Sequence, residues 1–219
     1  MIPLEPDRFY HVFNRANGNE KIFLSDENFH FFLRKYELYI SKFVHTYAYC
    51  LMPNHFHLLL SIKEEKEILN VLNQDKNLQG FQGKSKANKN PPGFENLEGF
   101  NESDKIEKLI SFQFSRFLNS YAKAFNKQQK RKGSLFMKSY KRKLITDEKY
   151  LKKLVHYIHN NPIKAGLCDL PEKWKYSSYS QIVERSSTLL DTETVIDWFN
   201  DLENFKYFHK LTSDLTEVE

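Results

Sequence analysis

Apolar and polar positions alternate or recur with enough regularity to divide much of the chain into elements. Asp7 to Arg15 (DRFYHVFNR) alternates and is rich in aromatics, which predicts a strand. Ala16-Asn17-Gly18-Asn19 reads as a turn. Phe29, Phe32, Leu33, Tyr36 and Ile40 recur at helical spacing. They predict a helix capped at Ser25, with Asp26 and Glu27 in its first turn, ending near Lys42. Val44 to Leu51 and His55 to Ile62 read as two strands joined by the tight connection Met52-Pro53-Asn54. Glu64 to Asn73 predicts a short charged helix. Ser103 caps a longer one to about Gln128, with Ile106, Ile110, Phe114, Phe117, Tyr121 and Phe125 on its apolar face. Ser134 to Ile145 is expected to be a fourth strand. Thr146-Asp147-Glu148 opens a helix expected to stop near Asn160, ahead of Pro162, because proline disfavours helical geometry in the residue before it. Trp174 to Val183 and Thr192 to His209 read as short helices.

Apart from the short helix after the third strand, the order is strand, helix, strand, strand, helix, strand, helix. It predicts an α+β fold: a ferredoxin-like antiparallel sheet with helices packed on one face, plus a small helical C-terminal extension. Residues 1–170 form the main domain and 171–219 the extension. Gln74 to Glu102 breaks the pattern, being rich in Asn, Gly, Lys and Gln around Pro91-Pro92-Gly93. A flexible insertion is expected at about 74–103.

Composition narrows the class. The 219 residues are 40% hydrophobic and 28% charged, as in a globular chain. No run approaches the ~18–20 apolar residues of a membrane span. Met1 to Asp7 carries no basic segment followed by an apolar one, so no signal peptide is expected. Two cysteines without metal-site spacing point to a reducing, cytoplasmic setting. Charge adds more. Nine of the 33 Lys and Arg fall between Tyr121 and Lys143 with no acid among them, leaving 24 against 28 acidic residues elsewhere. Lys123, Lys127, Lys130, Arg131, Lys132, Lys138, Lys141, Arg142 and Lys143 form that segment, interleaved with Phe125, Phe136 and Tyr140. Such a patch is the electrostatic footprint of a nucleic-acid contact.

The candidate chemistry begins at His55-Phe56-His57. On a strand, residues two apart share a face, so the imidazoles project side by side while Phe56, Leu58 and Leu60 point to the opposite face. Paired imidazoles make a metal-binding unit. On the helix from Asp147, Leu151, Leu154, Val155 and Ile158 form the apolar stripe. Tyr157 lies roughly 110° from the centre of that stripe and Asn161 only ~40° from Tyr157, so both share one flank. Tyr150, two turns back on nearly the same line, is a built-in rival to Tyr157.

The string Tyr47-Ala48-Tyr49-Cys50-Leu51-Met52-Pro53-Asn54-His55-Phe56-His57-Leu58-Leu59 closely resembles the histidine–hydrophobe–histidine motif of the single-tyrosine HUH transposases, in particular their REP-associated tyrosine transposase branch. Phe9 to Asn17 resembles that family's first strand and turn, Tyr157 to Leu167 its catalytic-tyrosine helix, and Trp174 to Tyr179 the signature that follows. The resemblance covers roughly residues 5–183 apart from the insertion. It implies His55, His57 and Asn161 as ligands of a divalent metal, Mg²⁺ or Mn²⁺, and Tyr157 as the nucleophile. It further implies metal-dependent cleavage and rejoining of single-stranded, hairpin-forming repeat DNA through a 5′-phosphotyrosine, in a cytoplasmic, nucleoid-associated bacterial protein. Monomer and homodimer both stay open. Three rivals stand beside it: a DNA-binding protein without catalysis, a Zn²⁺ hydrolase using water, and an RNA-binding ferredoxin-like domain.

Overall fold

The computed structural model describes residues 2–18, 20–74 and 102–211. The expected insertion lies almost wholly outside the described residues. Four strands, β1 (Phe9–Arg15), β2 (Val44–Met52), β3 (His55–Ile62) and β4 (Lys141–Ile145), form one sheet in the order β2-β3-β1-β4. Every pairing is antiparallel. This is the ferredoxin-like order, with β1 and β3 central. The helices are α1 (Asp26–Tyr39), α2 (Glu65–Gln74), α3 (Glu102–Gln128), α4 (Glu148–Lys164), α5 (Tyr179–Glu184), α6 (Thr192–Trp198) and α7 (Leu202–Lys210).

Alternation along the strands sorts the two faces. Tyr10, Val12, Phe56, Leu58 and Leu60 are buried on one of them, where α1 and α3 pack. Phe32 of α1 is the hinge of that core. Its ring lies 5.0 Å from Phe56, 4.7 Å from Phe117 and 5.1 Å from Tyr121, centroid to centroid. The other face carries His11, Phe13, His57 and Leu59, and α4 lies there. The helices therefore cover both faces, correcting the expectation of a one-sided arrangement. The chemical pattern explains it: the second face is itself apolar enough to need a cover, with Leu59 and Cys50 fully buried.

Several details also differ from the sequence reading. In β2 a register shift between Thr46 and Ala48 marks a bulge. Thr46 bonds the Tyr36 hydroxyl of α1 at 2.7 Å, whereas Tyr47 bonds Ser61 at 2.9 Å and packs on Trp198 at 4.9 Å. The fourth strand is only Lys141–Ile145. Leu135 and Phe136 are both buried but lie outside the strand. They are held instead as a loop, by Asn17 N–H to the Leu135 carbonyl at 2.9 Å and Met137 N–H to the Arg15 carbonyl at 3.0 Å.

Helix α4 runs through Pro162 to Lys164 rather than stopping near Asn160. Proline removes one hydrogen bond and biases its predecessor, but burial of Pro162 holds the helical path. The helix ends where Gly166 adopts φ +67°, with Leu167 N–H reaching back to the Pro162 carbonyl at 2.9 Å. Its start lies within the expected Thr146-Asp147-Glu148, with Asp147 rather than Thr146 as the cap, accepting from Lys149 N–H at 2.9 Å.

The segment after α4 closes the outer edge of β2. Leu51 N–H donates to the Tyr176 carbonyl, Ser178 N–H to the Tyr49 carbonyl, and the Trp174 indole to the Leu51 carbonyl at 3.0 Å. An edge strand left bare would pair with other chains, so this cover has a structural purpose. No helix among the described residues is long and apolar enough to cross a membrane.

Candidate active site

The site forms at one end of the second face, where β1, β3 and α4 meet. Register places Phe13 opposite His57 on one side and opposite Lys141 on the other. A row from β3 to the exposed strand β4 therefore reads His57, Phe13, Lys141. The diagonal neighbour of His57 on β1 is His11, opposite Leu59 and Lys143. A cleft of about 470 Å³ opens over this row. His11, Phe13, Asn54, His55, His57, Lys141 and Tyr157 are among its walls.

The paired histidines are held as the pattern predicts, on one face, with ring centroids 5.0 Å apart. Tyr157 comes over them from α4. Its ring meets His57 edge to face at 5.5 Å and His11 at 6.2 Å. Lys164, two turns on, brings its ammonium 5.5 Å from the centre of the Tyr157 ring. Tyr150 does not line the cleft. Its hydroxyl accepts from the Lys143 ammonium at 3.1 Å, and that cation also sits over its ring. Between the two rivals, geometry brings only Tyr157 to the histidines.

Burial sets the state of the imidazoles. Desolvation holds His57 well below the usual histidine range, and the neighbouring His11 and His55 push the same way. His11 is lowered to about 3, chiefly by burial and secondarily by the Lys143 charge. Both rings are therefore neutral at physiological pH, the form in which histidine ligates metals. Their nitrogens are engaged in a definite way. His55 Nδ1 lies 2.7 Å from the Asn54 side-chain oxygen. That oxygen can only accept, so Nδ1 carries the proton and the lone pair falls on Nε2. His57 Nδ1 lies 2.9 Å from His11 Nε2.

Asn161 stands one turn beyond Tyr157 on α4, half-buried, and is not among the residues lining the cleft. Its side-chain nitrogen is buried without a hydrogen-bond partner among the described residues. No group of three or more His, Cys, Asp or Glu among those residues could by itself hold a metal.

The basic segment is divided by the fold. Lys141 lines the histidine cleft. Lys123 and Lys138 line a neighbouring groove of about 360 Å³ between α3 and the 133–140 loop, which shares Asn14 and Met137 with the cleft. Lys127, Lys130 and Lys132 lie exposed at the end of α3 and in the turn after it. Arg131 is tied to Glu20 and, at 2.6 Å, to Asn126. Arg142 departs from the expectation of a DNA contact: its side chain is 4% exposed and pairs with Glu107 and Ser111, each at 2.8 Å. Lys143 is engaged with Tyr150.

Two groups of residues escaped the sequence reading. His11 looked like one more member of an aromatic strand. Its position two residues before Phe13, on the face shared with His57, was the signal that could have found it. The second group ties α4 to the rest of the fold. His209 Nδ1–H donates to the Phe205 carbonyl at 2.8 Å, so its Nε2 accepts from His159 Nδ1–H at 2.9 Å. His159 Nε2 then accepts from the Ser178 hydroxyl at 2.7 Å. Both nitrogens of His159 are thus committed, which removes it as a base for Tyr157.

Comparison with known proteins gives a consistent direction. No family model matches the chain. The chain is similar to a Haemophilus influenzae protein assigned to the REP-associated tyrosine transposases, with 28% identity over 141 residues. That alignment takes in 64% of this chain and spans 61% of the length of the relative. Among solved structures, one of a REP-associated tyrosine transposase bound to a REP hairpin covers 84% of each chain at 13% identity, with a TM-score of 0.47. The resemblance read from the histidine motif, the tyrosine helix and the Trp174 signature is therefore met by an independent sequence match to the same kind of protein.

Proposed function

We propose that this chain is a metal-dependent transposase or endonuclease that cleaves and rejoins single-stranded DNA through a 5′-phosphotyrosine on Tyr157. The observation that carries this reading is the meeting of Tyr157 with His57 and His55 at one cleft whose outer wall is Lys141. The similarity to a REP-associated tyrosine transposase supports it, and the motif resemblance implies hairpin-forming repeat DNA as the substrate.

The donor set fits a divalent cation. The two imidazoles of the cleft, joined by the amide that the resemblance implies from Asn161, one turn beyond Tyr157, would leave several positions open for phosphate and water, as Mg²⁺ or Mn²⁺ require. When bound there, such an ion would neutralise a non-bridging phosphate oxygen and orient the phosphodiester. The chain's own residues do the rest. Tyr157 attacks phosphorus in line; a P–O bond forms to its phenolic oxygen as the bond to the 3′ oxygen breaks. The phenol gives up its proton and the departing 3′ oxygen takes one. A later 3′-hydroxyl reverses the step on a new strand, so joining needs no ATP. Lys141, whose ammonium lies 5.9 Å from the centre of the Phe13 ring at the cleft, can pair with a phosphate beside the scissile one. The exposed lysines of α3 and its following turn extend the track.

A covalent-adduct assay tests this. Labelled single-stranded hairpin DNA from the flanks of the gene is mixed with protein and Mg²⁺ or Mn²⁺. The expected result is an SDS-resistant species that requires metal and is absent in Tyr157→Phe and His57→Ala. Tight binding of the same DNA without an adduct would replace this reading with that of a non-catalytic DNA-binding protein. An adduct that survives Tyr157→Phe and vanishes in Tyr150→Phe would move the nucleophile.

A further inference from the structure

We propose that His11 is a positioning residue for the metal site: it accepts the Nδ1–H of His57 and thereby leaves the Nε2 lone pair of His57 for the cation. The inference rests on the metal-binding reading above and adds a residue to it.

The argument is one of proton count. His11 Nε2 and His57 Nδ1 are 2.9 Å apart, too close for anything but a shared hydrogen bond. Two ring nitrogens at that distance hold one proton on the line between them. If His11 donates it, the remaining proton of His57 sits on Nε2, and that nitrogen has nothing to offer a cation. If His57 donates it, Nε2 is bare. Only the second arrangement is compatible with ligation by His57, because its Nδ1 is already taken up by the contact. No hydrogen bond to Nε2 is present among the described residues, and that atom is not among the buried polar atoms without partners, so it opens toward the cleft.

The neighbouring ligand has the same design. The Asn54 oxygen accepts from His55 Nδ1, so the lone pair of His55 is also on Nε2. Histidines that ligate metals are commonly oriented in this way through their second nitrogen. The geometry of His11 suits an orienting role. It is 2% exposed, stacked on Phe13 at 4.7 Å and on His57 at 5.1 Å with planes 24° apart. Both rings are thereby locked.

A packing role explains His11 less well. Its Nδ1 is buried without a partner among the described residues. A phenylalanine would fill the same space without that penalty. In the ligating arrangement this unpartnered nitrogen carries the proton, so cation binding must supply the free energy that holds it.

The test measures metal binding and ring tautomer, independently of DNA cleavage. Mn²⁺ affinity is measured by EPR on wild type, His11→Phe and His11→Gln. The histidine ring nitrogens are read by ¹⁵N NMR on the Mg²⁺-loaded protein. His11→Phe keeps the stack and loses the acceptor, and Mn²⁺ affinity is expected to fall by about 10–100-fold. His11→Gln restores an acceptor oxygen and is expected to recover most of that loss. In the Mg²⁺-loaded wild type, the proton of His57 is expected on Nδ1. Unchanged Mn²⁺ affinity in a folded His11→Phe, or a His57 proton on Nε2 with metal bound, overturns the inference and leaves the metal reading intact. Absence of Mn²⁺ binding in the wild type overturns both.

Discussion

Tyr157 and His57 meet edge to face with ring centroids 5.5 Å apart, one from a helix and the other from a central strand. The contact is made by the ring, and the attacking atom would be the hydroxyl. Tyr157→Phe should therefore keep the packing and change unfolding free energy by about 1 kcal/mol or less. The adduct should be lost completely. Paired urea titrations and adduct gels separate these effects. A variant that loses several kcal/mol would show the hydroxyl to be structural.

Lys141 and Arg142 are adjacent in sequence but should behave in opposite ways. Lys141 is exposed at the cleft, so Lys141→Ala should weaken DNA binding and lower the slope of log affinity against log salt by about 1. Arg142→Ala leaves Glu107 without its partner and empties a buried position. A loss of about 3 kcal/mol in stability is expected, with little change in the salt slope. Filter binding across a salt series, beside thermal melts, measures both.

The His159–His209 pair makes the docking of α7 sensitive to acid. Burial lowers His209 to about 3 and holds His159 well below the ordinary value. In the unfolded chain both take up protons near pH 6.5. Their contribution to stability is thus fully present above that pH and is lost as pH falls from about 6.5 toward 3, where the unfolded state binds more protons. The expected slope is about 1.4 kcal/mol per pH unit for each histidine. His209→Phe should reduce the slope by one histidine's share, because His159, His11 and His57 stay buried, while lowering the plateau, because His159 Nδ1–H loses its acceptor. Urea midpoints from pH 8 to pH 4 give the answer. A flat profile in the wild type would contradict the assignment.

Phe32 tests the opposite core. Its ring joins Phe56, Phe117 and Tyr121 and is fully buried. Phe32→Ala should cost about 3–5 kcal/mol. Because α4 packs on the other face, a folded variant should still form the adduct below its melting temperature. Loss of adduct in a protein shown to be folded would mean that the two faces are coupled.

The sequence by itself determined the periodic parts. Alternation in Asp7 to Arg15, the apolar run His55 to Ile62, and helical spacing in α1, α3 and α4 marked the strands and helices and showed which residues share a face, because each element has one period. It therefore gave the ferredoxin-like order and the shared face of His55 and His57. The clustering of positive charge was equally visible, since charge needs no geometry to be counted. Tertiary structure decided what periodicity does not encode. Pro162 stays helical because its burial outweighs a local bias, and Leu135 with Phe136 leaves the strand pattern because both find the core. Arg142 turns inward to Glu107, a partner that no local spacing announces. Tyr157 reaches His57 while Tyr150 does not, because α4 lies across the sheet at one angle only. His11 joins His57 through the β1–β3 register, and His209 joins His159 across the C-terminal elements. Contacts between residues distant in sequence are decided by packing, and most of the site's chemistry lies in such contacts.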